Sequence, residues 1–289
     1  MKKILVTGGS GFIGQNLLPA LKKKYTVDAP GRRELDVRDR GAVERFVKNG
    51  RYDAIIHAAS PSPVRSPGED NYNDLFRDML KIYMNFYSVR EECGKIIYCG
   101  SGAEYDKQYD ICSVTEEAIG RHIPADDYGL GKYMMNELAR GSSNIYNLRI
   151  FACFGPGEYD SKFISHAVRC CLNDKPITIR QDCYFDYLYV DDYVKFVLYF
   201  IENGAKYHDY NACSGKRIRL SDIAKKVKLQ MESTHDIRIE VPGFNKEYTA
   251  SNTRIMEECG MSADSLVDID QGIHRLIEQI RGRDLCSVE

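Results

Sequence analysis

The sequence predicts an α/β fold: a doubly wound parallel sheet, with a smaller lobe built by the C-terminal part of the chain. Three observations carry that reading. Over the first half, short apolar runs alternate with amphipathic stretches of helical length. The strand runs are continuously apolar, as expected where helices cover both faces of a parallel sheet. From about residue 155 the alternation breaks up, with Pro156, Gly157 and Pro176 interrupting the helical stretches.

In order, "KILVTG" reads as the first strand, Phe12 to Lys23 as a helix, "YTVDA" as a strand, Arg40 to Asn49 as a helix and "YDAIIHAAS" as a strand. A polar, Pro-rich loop follows at 60–70, then a long helix from about Tyr72 to Cys93, and "KIIYCGS" is the fourth strand. Residues 1–155 form the first domain and 156–289 the second, where short strands such as "PITIR" and "FDYLYV" lie among elements that return to the main sheet.

The 289 residues, 43% of them hydrophobic, suffice for a full core. A formal net charge of −2 gives no long-range attraction to polyanions, so neither nucleic acid nor an anionic membrane surface is expected as a partner. No run of eighteen apolar residues occurs and Met1 runs almost directly into a strand, which places the chain in the cytoplasm. The ten cysteines lack CxxC or zinc-type spacing, so reduced thiols are expected and metal is not.

The stretch "VTGGSGFIG" offers Gly8, Gly9, Gly11 and Gly14 between a strand and a helix. Such a turn needs dihedrals that glycine reaches without steric cost, Gly11 lets the backbone approach a pyrophosphate, and Gly14 lets the helix pack on the strand. The helix N-terminus then offers free N–H groups to phosphate. At the end of the second strand the signals divide. Asp28 is placed to bind a ribose 2′-hydroxyl, the mark of NAD, whereas Arg32 and Arg33 just beyond it suit a 2′-phosphate, and Arg32 points to NADP(H).

"DDYGLGKYMMNE" places Tyr128 and Lys132 four apart on one helix face. An ammonium at this spacing is expected to lower the phenol pKa and ready it for proton exchange with an alcohol or carbonyl oxygen. Ser101, ending the fourth strand, would sit at the sheet edge where ligands of such folds bind and could bond the same oxygen. His57, in a buried strand, reads as a hydrogen-bonded core residue, and Asp191 with Asp192 as caps of a helix starting near Tyr193.

With "TGGSGFIG", "AIIHAAS", "GSGAEY", "YGLGK", "LRIFACFGPGE" and "YLYVDDYV" in this order, the chain resembles the extended short-chain dehydrogenase/reductases, the NAD-dependent epimerase/dehydratase family of nucleotide-sugar enzymes. The match runs to "ASNTR" and the late "DIDQGIHRLIEQI" helix, and "RRELDVRDRGAVERFV" is most similar to dTDP-4-dehydrorhamnose reductases and GDP-fucose synthases. The resemblance implies a Rossmann-type fold with a substrate lobe. It implies Ser101, Tyr128 and Lys132 as the catalytic residues, and Gly8, Gly11, Phe12, Ile13 and Gly14 around the pyrophosphate. Asp36 and Val37 would flank adenine, and Ala58, Ala59, Ser60, Ile150 and Phe151 would line the nicotinamide side.

Departures from the family narrow the reaction. Dehydratases carry an Asp-Glu pair directly after the catalytic hydroxyl, where this chain has Gly102 and Ala103; fucose synthases carry a cysteine and a histidine, where it has Ala103 and Lys162. Hydride transfer plus one proton at Tyr128 survives. The expected activity is therefore NADP(H)-dependent reduction of a nucleotide-activated 4-keto sugar, the alternative being a 4-epimerase or 4-oxidase with tightly held NAD. Phe185 replaces an arginine that grips the diphosphate in many members, and Ala152 and Met79 replace asparagines. Arg180 or Arg254 are candidates for the missing grip, and Lys162, Phe163 and Arg169 open a helix that faces either the diphosphate or solvent. Relatives dimerise through the helix near 72–93 and the one bearing Tyr128, so a homodimer is expected, with Met79, Ile82 and Met134 as contact or ordinary core residues.

Overall fold

The computed structural model describes residues 1–61 and 75–286. Most of the Pro-rich loop and the Tyr72 start of the long helix lie outside those residues.

The first half winds as β1 (Lys3–Thr7), α1 (Phe12–Lys22), β2 (Thr26–Asp28), α2 (Arg40–Gly50), β3 (Ala54–His57), α3 (Leu75–Tyr87), β4 (Ile96–Ser101), β5 (Ile111–Val114), α4 (Asp127–Arg140) and β6 (Ile145–Ile150). The remainder runs β7 (Ala152–Phe154), α5 (Phe163–Leu172), β8 (Ile177–Asp182), β9 (Tyr184–Phe185), β10 (Tyr187–Tyr189), α6 (Val190–Glu202), β11 (Asp209–Ala212), β12 (Ile218–Arg219), α7 (Leu220–Gln230), β13 (Ile237–Phe244), β14 (Tyr248–Ala250), α8 (Thr253–Cys259) and α9 (Ile269–Cys286).

The main sheet has the order β11-β6-β4-β3-β1-β2 and every pairing in it is parallel. Its strands send alternate residues to opposite faces. Ile4, Val6, Ile56, Ile97 and Leu148 pack with Leu17 and Leu21 of α1 and Phe196, Val197 and Phe200 of α6. Leu5, Ile55, Ile96, Tyr98 and Ile145 pack with Val43 of α2, Met79, Tyr83 and Phe86 of α3, and Met135 and Ala139 of α4. Two covered faces explain why the strands read as continuous apolar runs.

The other layer has its own core, where Ile164 and Val168 of α5, Ile223 and Val227 of α7, and Ile273, Leu276 and Ile277 of α9 meet Ile177 and Ile179 of β8. Its strands form a four-stranded sheet, β12-β9-β14-β5, and two pairs, β10-β7 and β13-β8. The chain interleaves the layers: β5 leaves the first half to pair with β14, and β11 returns to pair with β6.

Two local expectations are corrected. The long helix stops at Tyr87, where Arg90 folds back, its guanidinium 4.2 Å over the Tyr87 ring and Nη1 donating to the Tyr87 carbonyl at 2.9 Å, and a tighter turn covers Arg90–Glu92. Helix α6 starts at Val190 with Tyr189 at its cap position, so Asp191 and Asp192 lie inside its first turn. Asp192 instead accepts from Lys195 Nζ at 2.7 Å and Val267 N at 2.8 Å, tying α6 to the chain before α9. Of the two readings open for Met79, Ile82 and Met134, Met79 and Ile82 take the ordinary-core one, both buried within the chain, while Met134 is 39% exposed.

Candidate active site

The glycine turn joins β1 to α1. Gly8 has φ +70, and a Cβ there would lie 2.8 Å from the Ala59 nitrogen. A Cβ on Gly14 would lie 2.6 Å from Gly9 Cα, so α1 approaches the turn as closely as backbone allows. Gly11 N donates to Gly8 O at 3.0 Å and caps α1 without a side-chain hydrogen bond, and no acidic residue occupies the helix's first turn. The first-turn N–H groups therefore meet no competing carboxylate. Gly8, Gly11, Phe12, Ile13 and Gly14 line a cleft of about 540 Å³. Ala58, Ser60, Ile150 and Phe151 line it too, whereas Ala59 stands behind Gly8 and donates its N–H to Thr7 Oγ1 at 3.2 Å. These residues fit a dinucleotide: bare backbone and a helix N-terminus lie where a pyrophosphate would come to rest.

At the end of β2, Asp28 is already engaged. Its carboxylate accepts from Tyr52 Oη at 2.7 Å and pairs with Lys3 Nζ at 3.0 Å, and the Tyr52 hydrogen bond is the main reason its pKa is lowered. Asp36 is gripped by Arg38, which holds its carboxyl down at about 2, and the exposed Arg32 is close enough to add to that effect. The Val37 carbonyl accepts from Asn85 of α3 at 2.9 Å. Arg32, Asp36 and Val37 lie beyond the residues that line the cleft.

The candidate catalytic residues converge where β4 ends against α4. Asp126 caps α4 by accepting from Gly129 N at 2.9 Å, and Gly129 lacks the Cβ that would press on the Ala103 carbonyl. Ser101 caps the tight turn after β4, its Oγ accepting from Ala103 N at 3.2 Å and its N–H donating to Glu104 Oε1 at 2.9 Å. Ser101 and Tyr128 line the same cleft. Lys132 is buried, donates to the Cys99 carbonyl at 2.9 Å, and stands 4.6 Å over the Tyr98 ring and 5.8 Å from the Tyr128 ring centre.

The electrostatics reverse one expectation. Burial pushes the Tyr128 phenol up to about 12, against a lowering by the Ser101 hydrogen bond, and burial pushes Lys132 down to about 8. The ammonium is held by the Cys99 carbonyl, so removal from water outweighs its attraction for a phenolate. At neutral pH Tyr128 is a protonated acid.

Beneath the cluster lies a buried polar network. Arg149 of β6, fully buried, donates to Glu104 Oε2 at 2.6 Å, Asn136 Oδ1 at 3.0 Å and Asp209 Oδ2 at 3.1 Å, joining the β4 turn, α4 and β11. His57 is a core residue, its Nδ1 3.0 Å from Thr7 Oγ1, and burial pushes it down to about 3.

The other half of the cleft was less foreseeable. Ala103, Lys162 and Phe185 line it, and Gly102 is buried beside Phe151 and Tyr248. Phe163 packs instead on the core of the second layer, because α5 turns that face inward. Arg180 is exposed on β8, on the face opposite Ile177 and Ile179. Arg254 faces a second cleft with Glu116, Glu117 and Tyr207, bonded to Glu117 and, at 3.1 Å, to the Asp209 carbonyl. Neither arginine lines the cleft; Arg169 pairs with Asp160 at 3.2 Å. Lys107, Glu158, Lys246 and Tyr248 line it and were not singled out in the sequence. Glu158 accepts from Ser165 Oγ at 2.6 Å, and burial pushes it up to about 7.

Among the described residues no three His, Cys, Asp or Glu side chains group as metal ligands, and no helix is long and apolar enough to cross a membrane.

Comparison with known proteins matches this architecture. The chain is 24% identical over 324 residues to a probable dTDP-glucose 4,6-dehydratase of Sinorhizobium fredii, covering 96% of this chain and 92% of that one. It is 26% identical over 321 residues to the dTDP-4-dehydro-6-deoxyglucose reductase of Escherichia coli, covering 96% and 97%. The solved structure of GDP-mannoheptose C4 reductase from Campylobacter jejuni with NADP bound superposes with a TM-score of 0.82 at 16% identity, over 97% of this chain and 98% of that one. The family model described as NAD dependent epimerase/dehydratase family matches residues 4–213, and the chain belongs to that family.

Proposed function

We propose that the protein reduces the 4-keto group of a nucleoside-diphosphate sugar with NADPH, Tyr128 giving the proton. One observation carries the reading. The phenol facing the cleft is kept protonated beside Ser101, while Gly102 and Ala103 offer no acid or base for elimination or for epimerisation next to the ketone. The dinucleotide, when bound, supplies the hydride. Gly8 and Gly11 through Gly14 bind its pyrophosphate, Asp36 and Val37 flank adenine, and Ala58, Ala59, Ser60, Ile150 and Phe151 flank the nicotinamide.

Two observations favour NADP over NAD: Asp28 is occupied by Tyr52 and Lys3, and Arg32 is exposed beyond it. Lys132, held by the Cys99 carbonyl in the cleft wall, carries positive charge toward the cofactor ribose. Gly102 and Ala103 floor the sugar site, and Lys162, with Lys107 and Lys246, gives the cationic wall a diphosphate requires. The names of the E. coli and C. jejuni reductases agree with this chemistry. The exposed Met84 and Met134 of α3 and α4 suit a homodimer contact, and nine free thiols among the described residues suit the cytoplasm.

The test is oxidation of NADPH by purified protein given dTDP-, GDP-, CDP- and UDP-linked 4-keto sugars. Stoichiometric oxidation with one of them supports the reading. Tightly bound NAD that survives purification, with interconversion of unmodified sugars and no net oxidation, replaces it with the 4-epimerase reading.

A further inference from the structure

Strand β13 is the longest strand among the described residues and has one neighbour. It pairs in parallel with β8, and among the described residues no strand covers its other edge. Every residue after Ile237 in it is exposed. A free edge of this length offers a row of unpaired N–H and C=O groups, which is a template for a further strand.

The ladder with β8 fixes which groups are free. Ile177 N–H donates to the Asp236 carbonyl at 3.1 Å, and Ile237 and Ile239 stand opposite Ile177 and Ile179. In a parallel ladder alternate residues of a strand bond to the same neighbour, so the main chain of Ile237 and Ile239 points away from β8. The side chains of Ile177 and Ile179 are buried in the core of the second layer, whereas Ile239 is 45% exposed and Val241 41%. Pro242 then ends the run of available N–H groups, which confines pairing to a short segment.

The order of residues along this segment selects its partner. Ile237, Arg238, Ile239, Glu240 and Val241 are charge-complementary to themselves when read in opposite directions. With two copies antiparallel about a two-fold axis through Ile239, Arg238 of each faces Glu240 of the other and Ile237 faces Val241. Shifting that axis to Arg238 sets guanidinium against guanidinium, and shifting it to Glu240 sets carboxylate against carboxylate. Placing it at Ile237 leaves Val241 uncovered. Register and occupant therefore follow together from charge and apolar cover.

We propose that β13 is a self-association edge: two copies of the chain pair antiparallel through residues 237–241, centred on Ile239, and join into one sheet of order β8-β13-β13-β8. The contact is separate from the α3 and α4 face and does not depend on the activity assigned to the cleft. It also has a bearing on that cleft, because β13 runs on into Asn245, Lys246 and Tyr248, which line it.

Charge reversal tests the register directly by sedimentation velocity over a range of protein concentrations. Arg238→Glu opposes two carboxylates at both cross-strand positions, and Glu240→Arg opposes two guanidinium groups. Each alone should weaken self-association about ten- to hundredfold, with the far-ultraviolet circular dichroism unchanged. Mixed in equal amounts, the two variants oppose unlike charges again at both positions, and the mixture should regain the wild-type strength, as should the double variant Arg238→Glu/Glu240→Arg. Ile239→Pro removes an outward N–H at the axis without touching the β8 side and should abolish the contact. Wild-type protein that stays monomeric at every concentration overturns the proposal. Association equally strong in all these variants belongs to another face and overturns it too, and a mixture no stronger than its two components rules out the charge-paired register on which it stands.

Discussion

The two halves of the cleft are built by opposite means. The half proposed for the cofactor is backbone: a turn and a helix N-terminus within fourteen residues, kept open by glycines whose missing Cβ atoms leave no room for anything larger. The half proposed for the substrate is side chains: Lys107, Lys162, Phe185, Lys246 and Tyr248 arrive from four separate segments of loop and short strand. A backbone site tolerates almost no substitution and serves one ligand class. A site of gathered side chains can be changed one residue at a time, which is how one family accommodates different sugars on a constant cofactor seat.

Substitutions should separate the halves, and the largest effect belongs to the first. Gly14→Ala puts a methyl 2.6 Å from Gly9 Cα and inside contact of the Gly8 carbonyl. It should weaken NADPH binding about a hundredfold, roughly 3 kcal/mol, as read by quenching or transfer of nicotinamide fluorescence. Binding within a few-fold of wild type would remove the contrast.

Glu158 marks the border of the two halves and should show as pH dependence. Its folded pKa, about 7, lies above its ordinary value of 4.5, so the folded state holds a proton that the unfolded state has already lost. Stability should fall as pH rises from about 4.5 through 7, by on the order of 3 kcal/mol in full. Glu158→Gln should flatten that slope in urea unfolding compared at pH 5 and pH 8. An equal slope in both proteins would show that the buried carboxyl is not the cause.

The smallest effect is expected at the rim. Lys246→Ala should raise KM for the nucleotide sugar about three- to tenfold, leave NADPH affinity unchanged, and lose its effect as salt is raised. A change in cofactor affinity instead would place Lys246 in the wrong half.

The same contrast explains what the sequence made legible. The sheet, its helices and the glycine turn follow from local patterns: strand runs between amphipathic helices, and four glycines at a strand-to-helix junction. Tyr128 and Lys132 were legible because four residues on a helix fix a shared face. The phenol's charge state was not, since it depends on burial by residues far along the chain. Arg180 and Arg254 carry the right charge near the right part of the sequence, but strand alternation turns Arg180 to solvent and Glu117 and Asp209 hold Arg254 elsewhere. Tyr248 carried no local signal at all. Its significance comes from a glycine some 146 positions earlier, which only the pairing of β14 with β9 and β5 brings near.

The central claim is that a hydride passes at this cleft from the cofactor to carbon 4 of the sugar while Tyr128 supplies the proton. NADPH deuterated at the nicotinamide 4-position, given to the enzyme with a 4-keto nucleotide sugar, tests it directly by mass and carbon-13 spectra of the product. The account predicts one deuterium at carbon 4 with wild type, and a rate lower by about a hundredfold or more with Tyr128→Phe in a folded protein. Product without deuterium, or transfer at an unchanged rate in Tyr128→Phe, would contradict it.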